Sequence, residues 1–453
     1  MEIVRSSETG LDPWQYRLTP LPTEGPGKKM RLHLEAGPDL PTCPVATPSG
    51  RVLGVLIGFP IDLEAGRMVG SRHEISAEPP VEDPDAIAEG VLDGLGGNFL
   101  LLYTAGGVVR LYPDGVAHFR CVYDAEAHVA GSTTHALLDD AAYRERLDAA
   151  AYRRMEVDEE GWFPVGLTAH EGIRRLLPNH YLDLSAWRAV RFWPRGEIEE
   201  ARAPEETADR IAAAVSAQLG ALVSGDKAVA QGLTAGFETR WLLACARPHR
   251  ERIEFVTVAQ ERAGHIDTHV AARLAEEFGL SHRVLERRTA TAAQRDTYIR
   301  RGGHCVAGGN SRTHPSMWSL VGSHRFVGGQ DGEIARAYNW ATSDVPDSMH
   351  GADVFAGRLG LPRTEALGAG FEEWRDGIPV RNALHVLDLN YLENRLAPRA
   401  HAQLCCDPSV VRFNPIGTLR TIRLMMSLPA EWKRDYRLAT HVIERNWPDL
   451  MRV

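Results

Sequence analysis

The stretch QGLTAGFETRWLLACA, residues 231–246, decides how this chain is read. It continues a short apolar run, KAVAQGL (227–233), and opens a helical pattern, RWLLACAR (240–247). Between the two stand Thr234-Ala235-Gly236 and then Glu238-Thr239-Arg240. A loop between a parallel strand and its helix lies at the carboxyl edge of the sheet, where open α/β folds bind ligands. The helix start offers unpaired N–H groups and the positive end of its dipole, so an anion is the favoured guest. Small residues let the backbone come close, and Thr234 and Thr239 add hydroxyl donors. Glu238 repels a bare phosphate unless a cation lies between them, so the turn suits magnesium with a polyphosphate. No GxxxxGK[ST] occurs, and an ordinary tight strand–helix turn stands beside the phosphate reading as its equal.

Working outward, the same alternation repeats. ETADRIAAAVSAQLGALVSG (206–225) has helical spacing, RIEFVTVA (252–259) is a strand, and DTHVAARLAEEFGL (267–280) is a helix. SHRVLE (281–286) and HRFVGG (324–329) add two more strands. This order predicts a parallel sheet with helices on both faces, followed beyond residue 350 by a mostly helical tail. The front half has another texture. RVLGVLIGFPIDL (51–63), GGNFLLLYTAGG (96–107) and VVRLYPDGVAHFRCVYD (108–124) are apolar or alternating runs punctuated like hairpins. Helices are expected at 84–95 and 136–156, and a short hairpin-like stretch in LTAHEGIRRLLPNHYLDLSAWRAVRFWP (167–194). The acidic, Pro-bearing joint RGEIEEARAPEET (195–207) places a boundary near residue 200, giving units 1–200 and 201–453.

Composition agrees with two globular units. A chain of 453 residues exceeds one ordinary core, and 44% hydrophobic with 25% charged residues is a water-soluble balance. A net charge of −9 argues against a general nucleic-acid binder, because phosphate contacts need clustered Lys and Arg. RSSETGLDPWQYRLTPLPTEGPGKK (5–29) carries neither a signal peptide nor a membrane span. Six cysteines, adjacent only at Cys405-Cys406 and never as CxxC, are expected as reduced, buried thiols of a cytoplasmic protein.

At this point a resemblance enters. LTAGFETR (233–240) is similar to the pyrophosphate loop of the asparagine synthetase family, Ser-Gly-Gly-x-Asp-Ser, with Thr234, Ala235, Gly236, Glu238 and Thr239 at the matching places. FVTVAQERAGHIDTHVAARLAEEFGLSHRVLE (255–286), FVGGQDGEIARAY (326–338), YLENRLAP (391–398) and SLPAEWKRDYRLATHVIERNWP (427–448) resemble later elements in the family's order. VLDGLGGNFLLLY (91–103), LYPDGVAHF (111–119) and residues 171–184 resemble its glutaminase domain. The resemblance spans roughly residues 50 to 450, and its order and spacing carry more than any one motif. It implies an Ntn-hydrolase-like α+β sandwich followed by a parallel-sheet α/β ATP pyrophosphatase domain. It also implies ATP and Mg2+, with ATP against Leu233, Thr234, Ala235, Gly236, Glu238, Thr239, Arg240, Val258, Gly328 and Gly329.

The departures refine what is implied. The family's glutaminase uses a cysteine freed at position two, whereas this chain begins Met1-Glu2 and its first cysteine is the internal Cys43. Glutamine is therefore not the expected ammonia source. Members lacking that cysteine, such as β-lactam synthetases and lasso peptide cyclases, activate a carboxylate with ATP and close an amide with an amine. The expected partners are thus a small-molecule or peptide carboxylate and an amine, with no nucleic acid, no membrane, and a homodimer left open. In the second loop Gly332 stands where a second metal-binding aspartate belongs, with Asp331 one position earlier and Glu333 one later. Glu238 and Asp331 are the metal candidates. Gln330 or Gly329 occupies the amine-orienting position, Glu393 matches the glutamate of Leu-Glu-x-Arg and is expected to accept the amine's proton, and Glu333 joins these catalytic candidates. Arg437 is the loose counterpart of a lysine that steadies the acyl-adenylate, though an arginine does not shed a proton.

Other readings are weaker. His265 and His269 in GHIDTH share a helix face, but the glutamate of HExxH is missing, and Asp267 reads better as a helix cap. GGHCVAGG (302–309) reads as a bend ahead of a mobile cover, and the aromatic residues of MWSL, YNW and NWP as core. A non-catalytic relative that binds a nucleotide or a partner enzyme remains the alternative function.

Overall fold

The computed structural model describes residues 3–6, 10–21, 30–79, 83–259, 266–400 and 402–452. Two antiparallel-rich sheets form the front of the molecule. A six-stranded sheet includes Tyr16–Leu21, Arg31–Ala36, Val122–Asp124 and Val129–Gly131; an eight-stranded sheet is built around Val52–Asp62 and Leu95–Tyr103. They face each other through Tyr16, Leu18, Leu32 and Leu34 on one side and Ile57, Leu100, Leu102 and Leu182 on the other. Alternation explains this. In Arg31–Ala36 every second residue is buried, so one face of the strand supplies the core. The outer face of the larger sheet is covered by the helix Pro84–Asp93 through Ile87, Ala88, Val91 and Leu92. The Asp83 carboxylate caps that helix, with proline following at its first position.

The rear half holds a five-stranded, wholly parallel sheet. Its spatial order is His282–Leu285, Ile253–Val258, Ala228–Gly232, His324–Val327, Arg412–Phe413. Chain order therefore runs outward in one direction from Ala228–Gly232 and then restarts on its other side. That reversal falls between Ala228–Gly232 and His324–Val327, which pair in parallel from Ala228 opposite His324 to Gln231 opposite Val327. A crevice opens beyond the carboxyl ends of strands at such a reversal. Val229, Phe255 and Val327 bury one face of the sheet under helices. Ala230, Val256 and Leu285 bury the other against Met317, Leu320 and Val410.

The two halves share one interior. Ile61, Val116, Trp162 and Phe163 of the front lie in the same apolar cluster as Val215, Leu242 and Phe371 of the rear. Polar ties cross the seam. Trp162 Nε1 donates to the Asn394 carbonyl at 2.6 Å, the Val165 N–H to Asn394 Oδ1 at 2.9 Å, and Arg120 Nη2 to the Pro398 carbonyl at 2.9 Å. All six cysteines are buried and free. Among the described residues no helix is long and apolar enough to cross a membrane.

Candidate active site at the sheet reversal

The strand Ala228–Gly232 hands over through Leu233–Gly236 to the helix Phe237–Ala246, whose N-cap is Gly236. Leu233 anchors the turn: it is buried, its N–H donates to the Val256 carbonyl at 2.9 Å, and its carbonyl accepts from Thr257 Oγ1 at 2.6 Å. The second loop, Gly328 to Glu333, follows the neighbouring strand and lies against this turn. A Cβ on Gly329 would stand 3.1 Å from Thr239 Cγ2, and one on Gly328 only 2.6 Å from Asn414 Oδ1, so the two loops meet where side chains must be missing.

A cleft runs from this meeting point along the sheet edge. One chamber of about 230 Å3 is lined by Thr234, Thr239, Gly328, Gly329, Gln330 and Arg412 among others. A second, of about 220 Å3, shares Phe326 and Arg412 with it and adds Val258, Arg287 and Tyr298. A third, of about 370 Å3, shares Gln330 with the first and Arg287 with the second, and is bordered by Glu333, Arg395, Arg399 and Glu160. The expected residues Thr234, Thr239, Val258, Gly328, Gly329, Gln330 and Glu333 are therefore brought to one cleft.

Two of the turn's N–H groups and both its hydroxyls are already engaged, while the helix start carries no side-chain cap. The Ala235 N–H donates to Asp267 Oδ1 at 2.9 Å and the Gly236 N–H to Thr234 Oγ1 at 3.1 Å. Thr234 and Thr239 hydroxyls share a hydrogen bond of 3.0 Å, and Thr239 Oγ1 also donates to the Gly236 carbonyl at 2.8 Å. Asp267 thus does not simply cap its own helix, Ile266–Phe278. It sits in the first turn there and closes the neighbouring loop. Arg240 is half-buried with Nε lacking a hydrogen-bond partner. His265 lies outside the described residues.

Each metal candidate is paired through one carboxylate oxygen, and Asp331 Oδ1 is left without a hydrogen-bond partner. Glu238 Oε1 lies 2.6 Å from Arg336 Nε, and the pair borders a small hollow with Trp241 and Tyr436 rather than the cleft. Asp331 is completely buried in the left-handed region, φ 82°, with Oδ2 2.8 Å from His118 Nε2. His118 Nδ1 in turn lies 3.2 Å from Asp114 Oδ1. Burial favours a neutral imidazole, but Asp331 and Asp114 override it and raise the His118 pKa to about 10. Among the described residues no three His, Cys, Asp or Glu side chains converge as ligands. Glu238 and Asp331, the residues expected to hold magnesium, are each paired with a cation of the chain itself, Arg336 and His118.

The catalytic candidates separate. Glu333 is the acid that faces the cleft. Burial raises its pKa to about 7, and the nearby charges of Asp331 and Glu238 push the same way. Glu393 is instead fully buried with every oxygen occupied. Asn179 Nδ2 stands at 2.9 Å, Arg191 Nη1 and Nη2 at 2.7 and 2.8 Å, and Trp374 Nε1 at 2.7 Å. Burial pushes this carboxyl up, but Arg191 and the donors around it bring it net below the ordinary range. Its expected role as proton acceptor gives way to a structural one, because no oxygen is left to face an amine. Arg437 also departs from expectation: it is exposed and pairs with Asp435 at 2.8 Å. The lysine of that region, Lys433, is buried 2.6 Å from Asp388.

The sequence reading does not single out Arg287, Arg395, Arg399, Arg412 or Asn414. Arg395 is the arginine of YLENRLAP, where the motif draws attention to Glu393; the other segments have no motif, and Arg412 sits in a strand of two residues that periodicity cannot reveal. The stretch 302–309 is the packed bend expected of it: Cys305–Ala307 are buried, and Gly309 N–H is held by Glu160 Oε1.

No family model matches the chain, and no curated protein matches it. Among solved structures, the NH3-dependent NAD synthetase from Campylobacter jejuni subsp. jejuni NCTC 11168 in complex with the nitrate ion is similar at 12% identity. The match covers 46% of this chain and 95% of that one, with a TM-score of 0.21, too loose a superposition to bear on fold or function. What identifies the rear half as a mixed α/β unit is its own parallel sheet, with the chain reversal at Ala228–Gly232.

Proposed function

We propose that the protein is an ATP-dependent ligase of the asparagine synthetase type that adenylates a substrate carboxylate and couples it to an amine. The single observation that carries this reading is the convergence of the turn at Thr234–Thr239 and the loop at Gly328–Glu333 on one arginine-bordered cleft at the sheet reversal. A nucleotide fits the chambers between Val258 and Thr234, with its base toward the strand end and its phosphates toward the loops. The substrate carboxylate attacks the α-phosphorus, pyrophosphate leaves, and the amine then attacks the acyl carbon with release of AMP. Glu333, poised near neutrality and facing the third chamber, is the proton acceptor for the amine. Holding both reactants contributes several kcal/mol toward the roughly 7–11 kcal/mol available from orientation. Magnesium enters this reading only as the counter-ion that ATP brings.

We further place the protein in the cytoplasm, acting without glutamine in natural-product biosynthesis on a small molecule or peptide, intramolecularly or between two molecules. Nucleic acid and membrane have no part in this reading, and a homodimer is compatible with it.

One observation favours a second reading, a non-catalytic nucleotide- or partner-binding module. The Ala235 and Gly236 N–H groups and one oxygen each of Glu238 and Asp331 are engaged by the protein's own side chains. The two readings part in a pyrophosphate-release screen over a carboxylate library, with and without amines. Release that depends on a carboxylate supports the ligase; ATP binding without release under any condition supports the module.

A further inference from the structure

We infer that Arg412 is the residue that holds the nucleotide's phosphates in the cleft; this rests on the ATP reading proposed above. The strand Arg412–Phe413 pairs in parallel with Phe326 and Val327, so Arg412 stands at the same sheet edge as the two loops. It borders both the chamber of Thr234, Thr239 and Gly329 and the chamber of Val258. Its guanidinium carbon lies 4.9 Å over the Phe326 ring.

Among the described residues the Arg412 side chain makes no hydrogen bond and no ion pair. Tyr298 and Asp407 act on it only through space, while burial disfavours its charge. A half-buried guanidinium stacked on a ring, with no acid against it, keeps its charge uncompensated by the chain until an anion arrives from outside. Its planar fork is suited to phosphate oxygens. The rest of the cleft explains why the duty falls here. The Ala235 and Gly236 N–H groups are spent on Asp267 and Thr234, and Arg399 is paired with Glu160 Oε2 at 2.7 Å. The front sandwich fixes the residue in place, since Asn98 Nδ2 donates to the Arg412 carbonyl.

The test measures binding of ATP and of adenosine to the full chain by calorimetry, for wild type, Arg412→Gln and Arg412→Lys, together with each protein's Tm. Arg412→Gln is expected to weaken ATP about ten- to a hundredfold, to leave adenosine unchanged, and to leave Tm equal or higher. Arg412→Lys is expected to recover part of the ATP affinity. If adenosine binds too weakly to measure, inorganic pyrophosphate replaces it and must lose the same factor as ATP. Unchanged ATP affinity in Arg412→Gln overturns the inference, as does equal loss of ATP and adenosine or a fall in Tm that accompanies the loss. Failure of the wild type to bind ATP instead sinks the nucleotide reading itself.

Discussion

At the scale of single residues, the decisive fact is which carboxylates are spoken for. Asp267 occupies the Ala235 N–H that a phosphate oxygen would take. Asp267→Ala removes both that acceptor and its charge, and pyrophosphate binding measured by calorimetry is expected to tighten about tenfold, as for one charge-assisted hydrogen bond made available. Unchanged binding would place the anion away from the turn altogether. Glu333 makes the second residue-scale prediction. Its pKa near 7 means the proton-accepting carboxylate form prevails above neutrality. Carboxylate- and amine-dependent AMP formation is expected to rise as pH passes through about 7. Glu333→Gln should erase that inflection and lower the rate about 100-fold or more, within the range of general acid–base contributions. A profile still inflected near 7 in the variant assigns it to another group.

At the scale of elements, long periodic segments were legible and locally capped ones were not. The strand read at 252–259 is Ile253–Val258, and the helix read at 206–225 is Pro204–Val223. In contrast, the single helix expected over 136–156 is three, Thr134–Leu137, Asp140–Glu145 and Ala149–Arg154. Asp139 and Asp148 each turn a carboxylate onto the amides two and three residues on and start a new helix, a competition that apolar spacing does not register. The run 108–124 likewise divides between the two sheets. Asp114 gathers the N–H groups of Phe99, Val116, His118 and Phe119 and bends the chain away. The turn at Thr234 was legible as a strand–helix handover because its place follows from the parallel sheet; Glu393 was misread because burial, not motif, sets its surroundings. It lies in the widened helical turn Leu392–Leu396 that joins Asn179 and Arg191 of the front to the rear. Glu393→Ala, which strands a buried guanidinium, is expected to cost about 3–5 kcal/mol in urea unfolding. A loss below about 1 kcal/mol would return Glu393 to the list of reactive groups.

At the scale of the whole molecule, two groups at one seam make stability depend on pH in the same direction. His118 is raised from 6.5 to about 10, so its contribution is complete below about 6.5 and lost as pH climbs through 10. Glu333 is raised from 4.5 to about 7, so its burial is tolerated best below 4.5 and penalised increasingly through 7. Unfolding midpoints should therefore fall steadily on the alkaline side, and His118→Gln should flatten the fall above pH 7 while lowering the midpoint at pH 6. An unaltered slope in that variant would remove His118 from the seam's energetics.

The outermost parallel strand carries a consequence for how the protein is made. Of the strands of its sheet, Arg412–Phe413 is the last the ribosome delivers, and it completes a sheet whose first strand emerges some 180 residues earlier. Until it arrives, the edge of His324–Val327 is bare to other nascent chains. A chain ending near residue 400 should then collect in inclusion bodies, and supplying the missing tail as a separate polypeptide during synthesis should rescue soluble yield.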